Sequence, residues 1–321
     1  MILTLTPNPA VDVTVTTEQL DRGATRVVDA ARRRAGGKGV NVSRVLAQQG
    51  EDTHAVLPVG SGEESWFDDD LASVPHTLVP CAGPTRHSYA LVETGEDVTS
   101  MLNEHGAQRT GAEWDAVLAA VRGLSGSAEV LVASGSLPPG APTDVLQTIV
   151  GIGREAGVPV VVDVSGAHLL AAADAGADVL KPNRDELAAA LGDLDVLDAA
   201  HELQRRGAGL VVVSLGPDGL LVVPPSGQAV HARLPAALRG NPTGAGDAAV
   251  AAIASLLRRR DVSTLGPDDL EAVARRAVAW SAAAVLSPWA GSLAVDPATL
   301  EPEVEISTTQ PGSASPARAT S

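Results

Sequence analysis

Residues 158–191, VPVVVDVSGAHLLAAADAGADVLKPNRDELAAAL, read as strand, helix, strand, helix. Val158 to Val162 and Val179 to Lys181 are short apolar runs rich in β-branched residues, whereas Ala167 to Ala173 and Arg184 to Leu191 carry apolar residues at helical spacing. The same alternation extends outward in both directions. Ile2 to Thr6, Ala55 to Val59, Val130 to Ala133 and Leu210 to Ser214 are further strand-like runs. Between and around them Val40 to Gln49, Ala112 to Leu124, Thr143 to Ala156 and Leu197 to Arg206 have helical period. Strands alternating with helices predict an α/β fold, a doubly wound and mostly parallel sheet with helices on both faces. Thr110 with Glu113 has the spacing of a capping box, and Gly50 stands where a helix ending at Gln49 needs a left-handed stop.

Two stretches break the alternation. Val11 to Val15 with Thr25 to Arg34, and His87 to Glu93 with Val98 to Leu102 around Gly95, read as short strands joined by turns without helices between them. Paired as one small antiparallel sheet, they form a lid that closes over a ligand and excludes water. The domain expectation is one unit over residues 1–306, with lid strands within about 11–35 and 86–103, and a polar tail at 307–321 (STTQPGSASPARATS) that is disordered.

Composition bounds the partners. With 23 Lys+Arg against 39 Asp+Glu the net charge is −16, the wrong sign for a protein that works on nucleic acid or acidic membranes. No apolar run approaches the ~20 residues that cross a bilayer. Six aromatic residues leave almost no material for stacking platforms. One cysteine, Cys81, makes no internal disulfide, and the opening MILTLT has no signal-peptide pattern, so the expectation is a cytoplasmic protein. The only two lysines, Lys38 and Lys181, both fall in loop-like segments, GGKGVN (36–41) and KPN (181–183).

The strongest chemical signal is NPTGAGD, residues 241–247, followed by an apolar helix from Ala248 to Leu257. Small residues at Gly244, Ala245 and Gly246 let the backbone approach a ligand, and a helix starting there offers free N–H groups to an anion. Asp247 is out of place beside such an anion unless it has a task. In phosphoryl transfer to an alcohol the task is to accept the hydroxyl proton; its plainer alternative is to satisfy first-turn N–H groups. GGKGVN opens an earlier helix and leaves Asn41, backbone amides and Lys38 to meet a polar ligand; it is neither a Walker A loop nor Gly-x-Gly-x-x-Gly. Asp12, just past the first strand, is a candidate acceptor for sugar hydroxyls.

Taken in order, TPNPAVD (6–12), GGKGVN (36–41), SGSLPPG (134–140), KPNRDE (181–186), SLGPDG (214–219) and NPTGAGD (241–247) give the chain a resemblance to the ribokinase/PfkB sugar kinases over residues 1 to 300, nearest the 1-phosphofructokinase and tagatose-6-phosphate kinase branch. The resemblance implies ATP as donor and Mg²⁺ as cofactor. It implies Asp247 as general base, with the amides of Gly244, Ala245 and Gly246 as the hole for the migrating γ-phosphoryl. Asp12, Gly37 and Asn41 match sugar-hydroxyl contacts, and Lys38 and Arg86 are the clamps for a phosphate already on the sugar. Asn183 and Glu186 match an Asn-x-x-Glu motif that positions Mg²⁺ through its waters. Lys181, Asn183, Ser214, Gly216, Gly219 and Gly246 fall in the segments that line the nucleotide, and Ser281 to Gly291 matches the adenine wall. A homodimer through the lid is the expected assembly.

The implied reaction is ATP-dependent phosphorylation of fructose 1-phosphate to fructose 1,6-bisphosphate. Tagatose 6-phosphate or fructose 6-phosphate is the alternative acceptor, and a catalytically silent kinase-fold binding protein the alternative class. Pro7 and His105 depart from the family pattern, both on the acceptor side, so they bear on which sugar is used. A nicotinamide oxidoreductase lacks its Gly-x-Gly-x-x-Gly here. The seven histidines show no metal-ligand spacing, and Arg32-Arg33-Arg34 adjoins the Gly36 loop, where it adds local positive charge.

Overall fold

The computed structural model describes residues 1–95, 98–236 and 238–309. In chain order the elements are β1 (Ile2–Leu5), β2 (Ala10–Thr17), β3 (Arg32–Gly36), α1 (Lys38–Gln48), β4 (Thr53–Gly60), α2 (Glu64–Asp70), β5 (His76–Cys81), β6 (Arg86–Glu93) and β7 (Val98–Asn103). Then follow α3 (Gly111–Ser125), β8 (Val130–Ser134), α4 (Val145–Ala156), β9 (Val160–Asp163), α5 (Ala167–Asp174), β10 (Val179–Leu180), α6 (Arg184–Leu191), α7 (Val196–Arg206) and β11 (Leu210–Ser214). The chain closes with β12 (Leu220–Val223), β13 (Ala229–Arg233), α8 (Ala245–Leu256), α9 (Pro267–Val285) and β14 (Glu305–Thr309).

Ten strands form the main sheet in the order β14-β13-β12-β11-β10-β9-β8-β1-β4-β5. From β5 to β11 every pairing is parallel, and β12, β13 and β14 extend the far edge antiparallel. Parallel strands covered on both faces have no polar side to show, and the uninterrupted Val, Ile and Leu runs follow from that. Leu3, Leu131, Val160 and Val211 face a core shared with α3, α4, α5 and α7. Their neighbours Ile2, Val130, Val161 and Leu210 face a second core with α1, α8 and α9. The chain runs outward from β1 through β4 to β5, then returns to β8 on its other side, so the strand order reverses between β1 and β8. Open parallel sheets bind ligands beyond the carboxyl ends at such a point.

The predicted capping box forms, with Thr110 N–H donating to Glu113 Oε2 at 2.7 Å and Glu113 N–H donating to the Thr110 hydroxyl. Gly50 is left-handed, with φ 72°. The small sheet lies at the end of the parallel strands in the order β3-β2-β6-β7. Its flanking pairs are antiparallel and its central pair, β2 with β6, is parallel. β2 continues from β1 and β6 from β5, and strands leaving one parallel sheet at the same end run in the same direction. The lid occupies slightly different bounds from those read in the sequence: β2 starts at Ala10, β3 ends at Gly36, and residues 25–31 are irregular rather than strand. The tail needs correction as well. Ser307 and Thr308 pair with His231 and Val230 in β14, because the edge of β13 supplies the hydrogen bonds that a Ser/Thr stretch cannot supply for itself. Residues 310–321, the rest of the expected disordered tail, lie outside the described residues.

Candidate active site

A cavity of about 1450 Å³ opens at the carboxyl ends of the parallel strands, between the main sheet and the lid. The candidate site residues line it: Asp12, Gly37, Lys38, Asn41 and Arg86, and Lys181, Asn183, Glu186, Ser214, Gly216, Gly219 and Gly244 to Asp247; His105 lines it as well, Pro7 does not, and of the expected adenine wall Ser281, Ala282, Val285 and Ala290 do. α8 begins at Ala245 with Gly244 as its N-cap, so Asp247 falls in the first turn. Gly244 has φ 86°, and a methyl group there would stand 2.9 Å from Ala290 Cα; glycine is the residue that fits. Gly37 plays the same part before α1, with φ 108° and a virtual methyl 2.7 Å from Thr6 Cγ2.

Asp247 is 6 % exposed and accepts a hydrogen bond from Asn41 Nδ2 at 2.8 Å. Burial pushes its carboxyl up to about 6; the Lys38 ammonium opposes the rise and the Asp163 carboxylate adds to it. Burial likewise lifts Asp12 to about 6, against the pull of Arg86. Arg86 itself is braced by the lid: its Nε donates to the Asn8 carbonyl at 3.2 Å and its Nη1 to the Glu104 carbonyl at 3.3 Å.

Asn183 and Glu186 cap each other. Asn183 Oδ1 accepts from Glu186 N–H at 2.8 Å, and Glu186 Oε2 accepts from Asn183 N–H at 2.9 Å. The Asn-x-x-Glu spacing is therefore a capping box at the start of α6, which leaves Glu186 Oε1 toward the cavity, 3.8 Å from Lys38 Nζ. Among the described residues no cluster of three or more His, Cys, Asp or Glu side chains could hold a bare ion. One outward carboxylate oxygen and an amide suit a hydrated Mg²⁺ that takes further ligands from substrate phosphates. An isolated parallel bridge joins Asn183 to Ser214 and holds these two segments side by side.

The sequence reading missed Asp163. It ends β9, is 1 % exposed, and receives both lysines of the chain: Lys38 Nζ lies 3.3 Å from each of its oxygens and Lys181 Nζ 3.6 Å from Oδ1. Ser134 Oγ donates to its other oxygen at 3.1 Å. Burial alone would raise its pKa, but the two ammonium groups and these hydrogen bonds outweigh it and hold the carboxyl below its ordinary value. Lys181 Nζ is 3.4 Å from where a side chain on Gly246 would begin, so that ammonium lies against the start of α8. The signal was available: an aspartate closing the wholly apolar run VVVD is buried only if paired, and two lysines were waiting in loops.

The run Arg32-Arg33-Arg34 is committed elsewhere. Arg32 stacks over Trp289 at 4.3 Å, Arg33 over Trp66 at 5.3 Å, and Arg34 Nη1 donates to the Ala290 carbonyl at 3.3 Å.

A family model described as pfkB family carbohydrate kinase matches residues 8–296. A 1-phosphofructokinase from Xanthomonas campestris is 37 % identical over 290 residues, covering 87 % of this chain and 89 % of the relative. An ATP-dependent 6-phosphofructokinase isozyme 2 from Mycobacterium tuberculosis is 36 % identical over 267 residues, covering 80 % and 78 %. Phosphofructokinase-2 from Escherichia coli, solved as a tetrameric inhibited form and in complex with fructose-6-phosphate, superposes with a TM-score of 0.79 at 30 % identity, covering 89 % of this chain and 95 % of that one. With its six motifs gathered on one cavity and a family match over residues 8–296, the chain belongs to the pfkB family of carbohydrate kinases.

Proposed function

We propose that this kinase transfers the γ-phosphoryl group of ATP to a ketohexose phosphate, with fructose 1-phosphate converted to fructose 1,6-bisphosphate as the first choice. The observation that carries the reading is Asp247: a buried carboxylate, oriented by Asn41, in the first turn of a helix whose leading amides open onto the same cavity as Asp12 and Arg86. In its ionised form Asp247 accepts the proton of the attacking hydroxyl, a contribution on the order of 10²–10⁴-fold. The amides of Gly244, Ala245 and Gly246 take up charge on the moving phosphoryl group, and Lys38 and Lys181 add two fixed positive charges beside its path. Asp12, Gly37 and Asn41 bind sugar hydroxyls, and Arg86 holds the phosphate already on the sugar; Lys38, expected as a second clamp, is paired with Asp163 and Glu186 instead. Ser214, Gly216 and Gly219 bind the nucleotide. Mg²⁺, held through water by Asn183 and Glu186, supplies charge neutralisation to the donor phosphates when bound. The Escherichia coli structure with fructose-6-phosphate and the Mycobacterium tuberculosis 6-phosphofructokinase favour fructose 6-phosphate as the second reading. Asp247, Asn183 and Glu186 are all present, which argues against a silent binding protein. No helix among the described residues is long and apolar enough to cross a membrane, in keeping with a cytoplasmic enzyme.

The test compares kcat/KM for fructose 1-phosphate, fructose 6-phosphate, tagatose 6-phosphate and fructose with ATP. Fructose 1-phosphate should lead, unphosphorylated fructose should trail, and Asp247→Asn should lower kcat by at least ~10³-fold while the acceptor KM stays near its parent value. No turnover of any acceptor overturns the reaction, and near-full turnover by the variant overturns the base.

A further inference from the structure

The lid has a polar rung that runs straight across all four strands. Asp12 on β2 pairs with Arg34 on β3 and with Ser88 on β6, and Ser88 pairs with Asn103 on β7. Directly opposed residues in a sheet share a face, so Arg34, Asp12, Ser88 and Asn103 form one row. Asp12, Ser88 and Asn103 all line the cavity. Arg86, two residues before Ser88 on the same strand and therefore on the same face, lines it one step nearer the body. The next rung outward runs Arg32, Thr14, Ala90 and Met101, and of these Met101 lines the cavity, so the polar lining on this face lies at the level just beyond Arg86.

Within the rung the donors and acceptors are sorted. Ser88 Oγ donates to Asn103 Oδ1 at 2.7 Å. That bond spends the one hydroxyl proton of Ser88 and fixes the Asn103 amide so that its NH₂ group is the remaining donor, while the Ser88 oxygen keeps lone pairs for an incoming O–H. Arg34 is held by the Ala290 carbonyl. A ligand therefore meets an acceptor at Asp12, an acceptor at Ser88 and a donor at Asn103, side by side at strand spacing of about 4.8 Å. A sugar hydroxyl can both donate and accept, so the rung discriminates by position: inverting one ring carbon carries its oxygen away from these partners and leaves them unpaired.

We propose that Ser88 and Asn103 are a coupled specificity pair that reads the configuration of the acceptor's ring hydroxyls one step from the phosphate held at Arg86. The inference rests on the sugar-phosphate kinase reading above and adds residues to its acceptor site. The experiment uses the full-length chain with ATP and three acceptors: fructose 1-phosphate, its C4 epimer tagatose 1-phosphate and its C3 epimer psicose 1-phosphate, or the corresponding 6-phosphates if the parent prefers them.

The parent should favour the fructose configuration over at least one epimer by about tenfold or more. Ser88→Ala and Asn103→Ala should each shrink that preference about 3- to 10-fold, through a raised KM for the preferred acceptor with kcat changed less than about threefold. Ser88→Thr, which keeps the hydroxyl, should retain most of the preference. Asn103 is exposed, so its variant tests the pair even where Ser88→Ala disturbs the hairpin. An active parent with no epimer preference, or a preference unchanged in both alanine variants, overturns the inference alone. A parent that phosphorylates none of these sugars overturns the kinase reading and the inference with it.

Discussion

Asp247 carries its own pH signature. Burial raises its carboxyl to about 6, and only the ionised form takes a proton from the acceptor, so kcat/KM should climb as pH rises through about 6 and fall steeply below it. Asp12, raised into the same window, makes the acid limb steeper than a single group would. Stability moves the other way. A carboxyl whose folded pKa lies above its unfolded value of about 3.9 binds its proton more tightly when folded, so ionisation between about pH 4 and 6 costs stability. Asp247→Asn should then melt at a higher temperature than the parent at pH 7.5, with the gap closing below about pH 4. A thermal-shift series across pH checks this, and identical melting curves at pH 7.5 would show that the buried charge carries no penalty. This residue was legible from NPTGAGD because its oddity is local: a carboxylate where a helix start invites an anion. Its setting, Asn41 at 2.8 Å across 206 residues of chain, was not.

At the scale of elements, the site is made where strand ends and helix starts meet. β8 delivers Ser134, β9 Asp163, the turn after β10 Lys181, and the first residue of α1 Lys38, so four segments are tied at one carboxylate. Asp163→Asn removes the carboxylate that the two ammonium groups share, leaving Lys38 its longer pairing with Glu186 at 3.8 Å and stripping Lys181 of its ion pair. It should cost about 3 kcal/mol, the low end for breaking a buried pair because Lys38 is partly exposed, and lower kcat by about 10²-fold. Ser134→Ala removes one hydrogen bond and should cost about 1 kcal/mol with kcat nearly intact. Denaturant titrations and steady-state rates on both variants decide it; equal effects would mean that the lysines do not depend on Asp163. Elements with self-evident periods were legible, as Leu210–Ser214 and Arg184–Leu191 show to the residue. Others owe their form to distant partners. β5 (HTLVPC) carries a proline and mixed polarity, tolerable because it is an edge strand, and β14 (EISTT) is polar but for Ile306 and becomes a strand by pairing with β13. α9 was overlooked although Gly266, Pro267 and Asp269 mark its start.

For the whole molecule, the alternation of the lid strands decides what each face meets. Val11, Val13 and Tyr89 turn toward a small core with Phe67 and Leu71 beneath the lid, while Asp12, Ser88 and Asn103 turn toward the cavity. Beyond the reach of that core, Leu102 and Val98 leave the same outer face with apolar side chains 57 % and 44 % exposed. No strand pairs with the outer edge of β7 among the described residues, whereas on β3 the Ala35 N–H donates to Asp70 and its carbonyl accepts from Arg44. The lid-to-lid dimer expected from the sequence would place a second copy of the chain on this outer face. Light scattering on the parent should give a dimer mass, and Leu102→Asp should shift it toward the monomer while ATP binding persists; a monomeric parent removes the lid interface. The global architecture was legible because parallel βα units announce themselves in sequence. The lid was legible only in outline, since β2 and β6 lie some 70 residues apart and their parallel register depends on where β1 and β5 end. The division of the lid by odd and even positions has an evolutionary corollary. Neighbouring codons in these strands serve separate masters, so a lineage can rewrite positions 98 and 102 on the outer face without disturbing the cavity wall, and can rewrite positions 88 and 103 in that wall without altering the outer face.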